Sequence, residues 1–230
     1  MANWKLLENH IAAWEGKTSA DPVDTCAKMP STAIDNNPKS KYRGLPIHTN
    51  KGVCFSTWQS MAPKLGYDPS TAGFMAMTTD QWRMIIKRGF WDPLFLDNMR
   101  SQKIAELLLE VHWGSGMGGV RSVYRILEKA VGVAVTGKPS AATTEAFNKA
   151  INTQAKENRL YDQLWQFRME WLRKLPETKW KKYGRGWTNR MNALATRAKN
   201  LVLENPKTSI LGALIVGIGI FFFVRRLQKK

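Results

Sequence analysis

Three carboxylates fall close together near the start of the chain: Glu15, Asp21 and Asp24, in the stretch WEGKTSADPVD. Eight residues separate Glu15 from Asp24. Cleaving a glycosidic bond needs two acidic groups in different states. One carboxyl is kept protonated to donate to the leaving oxygen, and another is kept ionised to activate water or steady the cationic transition state. A carboxyl at the end of an apolar helix loses hydration and is driven toward its neutral form, whereas one on a polar loop stays ionised. Glu15 follows an apolar helical pattern and Asp24 lies on the polar loop after it, so the pair fits the two roles. Taken alone, the same spacing is also an ordinary arrangement of two surface side chains.

Other chemistries find less support. His10, His48 and His112 stand apart, and none sits in H-x-x-x-H or H-E-x-x-H, so no metal ligand set and no cofactor are expected. His10 and His112 read as packing residues. The stretch GSGMGG lacks the Lys-Ser/Thr of a phosphate loop and follows no strand pattern; it reads as a helix break where backbones come close. No G-x-S-x-G turn is present. The basic, aromatic KWKKYGRGWTNR could stack on bases and pair phosphates, but no nucleic-acid module accompanies it, and nucleic acid is an unlikely partner on this ground.

The elements that must position the carboxylates can be read from periodicity. Trp4, Leu7, Ile11 and Trp14 lie at helical spacing, which predicts a helix over about residues 3–15, with Gly16 letting the chain turn. Residues 16–50 are rich in Pro, Asn, Ser, Thr and Lys, and predict a long loop region with a short hairpin at most. Helical patterns then follow in FSTWQSMAPKLG, in TTDQWRMIIKRGFW behind a Thr/Asp start signal, and in SQKIAELLLEVHWGSG, which looks like a central buried helix. GGVRSVYRILEKAVG, TTEAFNKAINT and RLYDQLWQFRMEWLRKL continue the series. Strand signals are sparse. The expectation is a mainly α domain over about residues 1–195, a linker, and a C-terminal transmembrane helix.

That last element rests on TSILGALIVGIGIFFFVRRLQKK, an uncharged run from Thr208 to Val224 followed by a basic tail. At about 1.5 Å per residue such a run spans roughly 25 Å, the short end of what crosses a bilayer. The N-terminus, interrupted by Glu8, Asn9 and His10, does not read as a secretion signal. Hydrophobic residues make up 43% of the chain and ten are Trp, enough for a substantial core. The net charge of +17 favours a polyanionic partner: nucleic acid, anionic lipid or an anionic wall polymer. Cys26 and Cys54 read more safely as unpaired thiols, a disulfide being the alternative for a domain that works outside the cytoplasm.

Several motifs together resemble the glycoside hydrolase family 108 muramidases, phage-type lysozyme-like proteins with a C-terminal peptidoglycan-binding segment. They are WEGK (Trp14–Lys17), DPVD (Asp21–Asp24), TNKGVCFSTW (Thr49–Trp58), GFWDPLFLDNMRSQKIAELLLEVHWGSG, LWQFRMEWLRKL and GRGWTNRMNAL, in the family's order over about residues 4–195. The resemblance implies a lysozyme-like catalytic domain over 1–130 and a peptidoglycan-binding helical segment over 131–195; the chain's own pattern adds a linker over 196–207 and the anchor with its tail over 208–230. It implies Glu15 as general acid and Asp24 as the carboxylate that orients water or stabilises charge. It implies substrate contacts from Asp21, Thr49, Asn50, Trp58 and Trp113. Arg168, Trp187 and Arg190 match the closing signature, in packing or sugar contact. Three features depart from the pattern: Lys17 replaces a glycine, a long insertion separates DPVD from TNKG, and Glu110 stands where the family has an aspartate on the central helix.

The function so implied is hydrolysis of the β-1,4 bond between N-acetylmuramic acid and N-acetylglucosamine. The alternative is a non-enzymatic wall-binding module of the same fold, membrane-tethered or built into a phage particle. Peptidoglycan strands are the expected partner, with the membrane engaged through the C-terminal helix. The expected location is the membrane, acting on peptidoglycan from the periplasmic side or after permeabilisation.

Overall fold

The structure, a computed structural model, describes residues 1–201. Helix α1 (Lys5–Trp14) buries Leu7 and Ile11, one turn apart, and ends at Glu15, whose backbone is extended. Three two-residue strands follow: β1 (Thr18–Ser19), β2 (Thr49–Asn50) and β3 (Val53–Cys54). They form one antiparallel sheet in the order β1-β2-β3, with Thr18 opposite Asn50 and Thr49 opposite Cys54. Helices α2 (Phe55–Met61), α3 (Thr71–Met75) and α4 (Thr79–Ile86) come next, α4 opened by a reciprocal Thr78–Gln81 capping box. A π-helical turn, Lys87–Trp91, leads toward α5 (Gln102–Val131), α6 (Ala141–Ala150), α7 (Gln154–Arg173) and α8 (Glu177–Lys199).

The hairpin between β2 and β3 turns on Lys51 and Gly52, both with positive φ (47° and 76°). That is the backbone a two-residue hairpin turn needs to match strand twist. The turn is held from outside: the Lys51 N–H donates to Lys17 O, the Trp82 indole N–H donates to Lys51 O at 2.8 Å, and Lys51 Nζ donates to Met77 O. The loop region over 16–50 therefore supplies two strands of a three-stranded sheet, the third following at Val53–Cys54. Its residues contribute few side chains to the core, which is why alternation gave so little signal.

Helix α5 runs through the middle of the fold. Every side chain from Lys103 to His112 is buried, so this stretch has no solvent face. Ser101 caps its start by accepting from the Ile104 N–H. At Gly116 the backbone leaves helical geometry (φ 58°, ψ −165°), and the helix then resumes. The glycine-rich GSGMGG thus interrupts one element instead of separating two.

Several carboxylates are buried in this core, and each has partners. Glu128 accepts from the Thr136 and Gly137 N–H groups and the Thr136 hydroxyl. Glu157 pairs with Lys103 and accepts from Ser101. Glu106 pairs with Arg197, and Glu110 with Arg190. The last two pairs fix α8 against α5 and account for a long helix not expected in the segment after Pro176. Its buried residues are few, Gly184, Met191, Leu194 and Ala198, and arginines supply the rest of its attachment.

Two expectations are corrected. The fold was expected to include a C-terminal transmembrane helix; the fold observed is mainly helical with a small three-stranded sheet, and among the described residues no helix is long and apolar enough to cross a membrane. Residues 208–230, on which that expectation rested, lie outside the described residues. Cys26 and Cys54 are not two separate thiols but a disulfide, with Cα atoms 5.4 Å apart. The insertion explains why they meet. From a 3-10 turn (Thr25–Lys28) it runs out and back on itself, tied by Ser31 N–H to Ile47 O, Ile47 N–H to Ala33 O and Asp35 N–H to Leu45 O. The disulfide clamps the base of this excursion across 28 residues, worth about 3–4 kcal/mol in the chain-entropy picture.

Stability should depend on pH through two histidines. Burial holds His10 below the ordinary imidazole range, with Arg190 and Arg197 adding to the effect and Glu106 opposing it. Burial does the same to His112, whose Nδ1–H donates to Phe90 O. Both stay neutral when folded but charge when unfolded once the pH drops below about 6.5, which favours unfolding. Thermal melts are expected to be level above about pH 7 and to fall steadily as the pH descends from about 6.5 through the depressed folded values. A melting temperature unchanged over that descent would contradict the assignment.

Candidate active site

Glu15 stands where α1 ends, beside the β2–β3 turn. Its side chain is only 12% exposed, and its contacts are specific. Oε1 accepts from the Trp113 indole N–H at 2.6 Å and from Arg190 Nη1 at 2.7 Å. Oε2 faces Gly52 so closely that a Cβ there would sit 2.0 Å away. Three elements thus hold one carboxyl: α5 through Trp113, α8 through Arg190, and the hairpin turn through a backbone with no side chain. The surroundings of Glu15 are therefore not only apolar, as the sequence suggested, but include a guanidinium.

Arg190 bridges two carboxylates, donating through Nε to Glu110 Oε2 at 2.8 Å as well as to Glu15. Burial alone would lower its pKa, but Glu110 and Glu15 raise it, so it is firmly cationic. Seen along α5, Glu106, Glu110 and Trp113 are spaced one helical turn apart. They engage Arg197, Arg190 and Glu15 in turn. Arg168 lies nearby, 4% exposed, hydrogen-bonded to Ser115 Oγ and stacked on Trp171. Burial lowers its pKa to about 10, with Glu110 pulling the other way.

The loop carboxylates behave differently from each other. Asp21 is 6% exposed and is gripped by Lys182 Nζ on Oδ1 (2.5 Å) and by the Tyr183 hydroxyl on Oδ2 (2.6 Å). Burial would raise its pKa, but hydrogen bonds from Lys182, Tyr183 and the Val23 N–H outweigh it and hold the carboxyl well below the usual carboxylate range. It therefore latches α8 to the loop and is not an open substrate contact. Asp24 caps the 3-10 turn by accepting from the Cys26 N–H and is partly exposed.

The remaining expected site residues separate clearly. Trp113 lies against Glu15, half-buried, as a hydrogen-bond donor. Thr49 is half-buried, its hydroxyl on His48 Nδ1. Asn50 is buried and donates to Phe74 O at 2.7 Å, so its amide is committed to α3. Trp58 is fully buried, stacked on Tyr67 and donating to Asp68 O, and does not reach a surface. Asn50 and Trp58 are thus corrected from substrate contacts to supports of the sheet and of α2. Trp187 packs against Trp180 and Tyr183 within α8. Residues the sequence did not single out for Glu15 are Gly52 and, as its ion-pair partner, Arg190. The signal for Gly52 was its place in a two-residue turn; none in the sequence ties Arg190 to Glu15.

Gly52→Ala is expected to disturb this arrangement twice over. The new Cβ would displace the Glu15 carboxyl, and the positive φ would strain any side chain at that position. A destabilisation of roughly 1–2 kcal/mol in thermal or urea melts is expected from the backbone. Any rate that depends on the placement of the Glu15 carboxyl should show the larger loss, since a shift of about 1 Å in a positioned group costs on the order of 10²-fold.

The fold is shared with a solved structure. The chain is similar to the structure of Brucella abortus SagA at 23% identity and a TM-score of 0.59, covering 85% of this chain and 92% of that one. No curated protein matches. Residues 8–116 match the family model described as Glycosyl hydrolase 108. The match spans Glu15, the sheet and the first half of α5. Arg190, which grips Glu15, comes from beyond it.

Proposed function

We propose that this protein cleaves the β-1,4 bond between N-acetylmuramic acid and N-acetylglucosamine in peptidoglycan. Glu15 is the general acid and Asp24 the carboxylate that assists the attacking water. The observation that carries this reading is the grip on Glu15. Two donors occupy Oε1, leaving Oε2 as the oxygen on which a transferable proton would sit. Oε2 packs against the backbone of Gly52, where the missing side chain leaves room for the carboxyl itself. A proton donor so positioned is worth about 10²–10⁴-fold in rate. The net charge of +17 suits an anionic wall polymer.

The bond is tested by digesting purified sacculi and reducing the products with borohydride. New reducing ends on N-acetylmuramic acid are expected. Ends on N-acetylglucosamine would assign the other glycosidic bond. Binding to sacculi with no new ends of either kind would leave a wall-binding module.

A further inference from the structure

We propose that Asp24, Cys26, His48 and Cys54 form a site for a zinc-class divalent cation when the Cys26–Cys54 disulfide is opened. A carboxylate oxygen of Asp24, the Cys26 sulfur and a ring nitrogen of His48 all lie within 4.8 Å of one another. The Cys54 sulfur is bonded to that of Cys26 and so stands next to these three donors. Tetrahedral zinc, with bonds of about 2.0–2.3 Å, needs its ligands roughly 3.3–3.8 Å apart. With the S–S bond open, the two sulfurs move apart to that spacing while the Asp24 and His48 donors close on it from within 4.8 Å of Cys26.

The donor set has the right chemistry. Two thiolates, an imidazole and a carboxylate select zinc over the harder magnesium or calcium ions. His48 is already prepared. One of its nitrogens, Nε2, lies 3.0 Å from the Asp21 carbonyl oxygen, which can only accept, so Nε2 carries the proton. Nδ1 then presents a lone pair, to which the Thr49 hydroxyl now donates. A carbonyl that fixes the far nitrogen is the usual way a ligating histidine is oriented. His48 is 1% exposed, so its ring is held in place by packing as well.

The ligands come from both ends of the 25–48 excursion: Asp24 and Cys26 where it leaves, His48 and Cys54 where it returns. A bound cation would thus clamp the same base that the disulfide clamps. The exchange balances. A phosphine attacks one sulfur and breaks the S–S bond; water then supplies an oxygen to give the phosphine oxide and two protons, leaving two thiols. Binding the cation then releases both thiol protons to solvent. This inference does not depend on the hydrolase reading.

The test uses the purified full chain, reduced with a phosphine, and Co²⁺ as the probe. One equivalent is expected to give thiolate-to-cobalt charge-transfer absorption and tetrahedral d–d bands, both bleached by Zn²⁺. The oxidised chain and the Cys26→Ser/Cys54→Ser variant should give neither. His48→Ala should lose the tetrahedral bands. Melting the reduced chain with and without Zn²⁺ provides a second reading, with a rise in Tm expected that His48→Ala abolishes. If reduction alone unfolds the chain, Zn²⁺ should restore its helical circular dichroism. Absent bands in the reduced chain, bands that survive in His48→Ala, or no recovery or rise in Tm on adding Zn²⁺ would each overturn the site.

Discussion

Glu15→Gln is expected to lower the rate of turbidity loss of purified sacculi by about 10²–10⁴-fold, the usual contribution of a positioned proton donor. Glutamine is the informative replacement because it keeps the shape. Its amide oxygen can still accept from Trp113 Nε1 and Arg190 Nη1, which now converge on Oε1. The ability to carry and give up a proton is lost, together with one of the two charges facing Arg190, which Glu110 still pairs with. Helical circular dichroism should be unchanged, which separates a missing proton from a missing fold. Full retained activity in this variant would remove Glu15 from the chemistry.

Arg190→Ala should have the largest effect on stability. The side chain bridges Glu15 and Glu110, and these three side chains are only 8–13% exposed. Deleting one partner of a buried pair leaves the other charge uncompensated, at a cost of about 3–5 kcal/mol. Chemical denaturation should show a loss of that size. Adding Glu110→Gln to the Arg190→Ala chain should recover part of it, because one stranded charge is then gone. A loss below about 1 kcal/mol would mean that water reaches the pair and screens it. Activity should fall as well, since Oε1 would lose one of its two donors and the carboxyl could swing.

The sequence was most legible where apolar periodicity coincides with a buried face. Leu7 and Ile11 announced α1, and Ile104, Leu107, Leu108 and Val111 announced the core of α5. Glu15 was legible through its place after the first helix and through the family's motif order. Helix α8 was not, because its inner side is attached by Lys182, Arg190 and Arg197 to carboxylates far away in the chain. A hydropathy pattern records such arginines as solvent-facing; only their partners make them interior. Trp58 and Asn50 failed for the opposite reason. Their residue types suit sugar contact, but the indole and the amide were already needed to satisfy backbone carbonyls at Asp68 and Phe74. The pairing of Cys26 with Cys54 depended on a chain excursion doubling back, which no local pattern reveals.

Because that excursion leaves and rejoins the fold at one pinch, its length is decoupled from everything beneath the pinch. The exposed bend at Asn37–Lys39 could grow without moving the β2–β3 turn or the end of α1. Each doubling of a loop costs only about 0.6 kcal/mol in closure entropy. The bend is thus where this chain can drift fastest between relatives, and where a tag or a second recognition unit could be spliced in while the acid below keeps its neighbours.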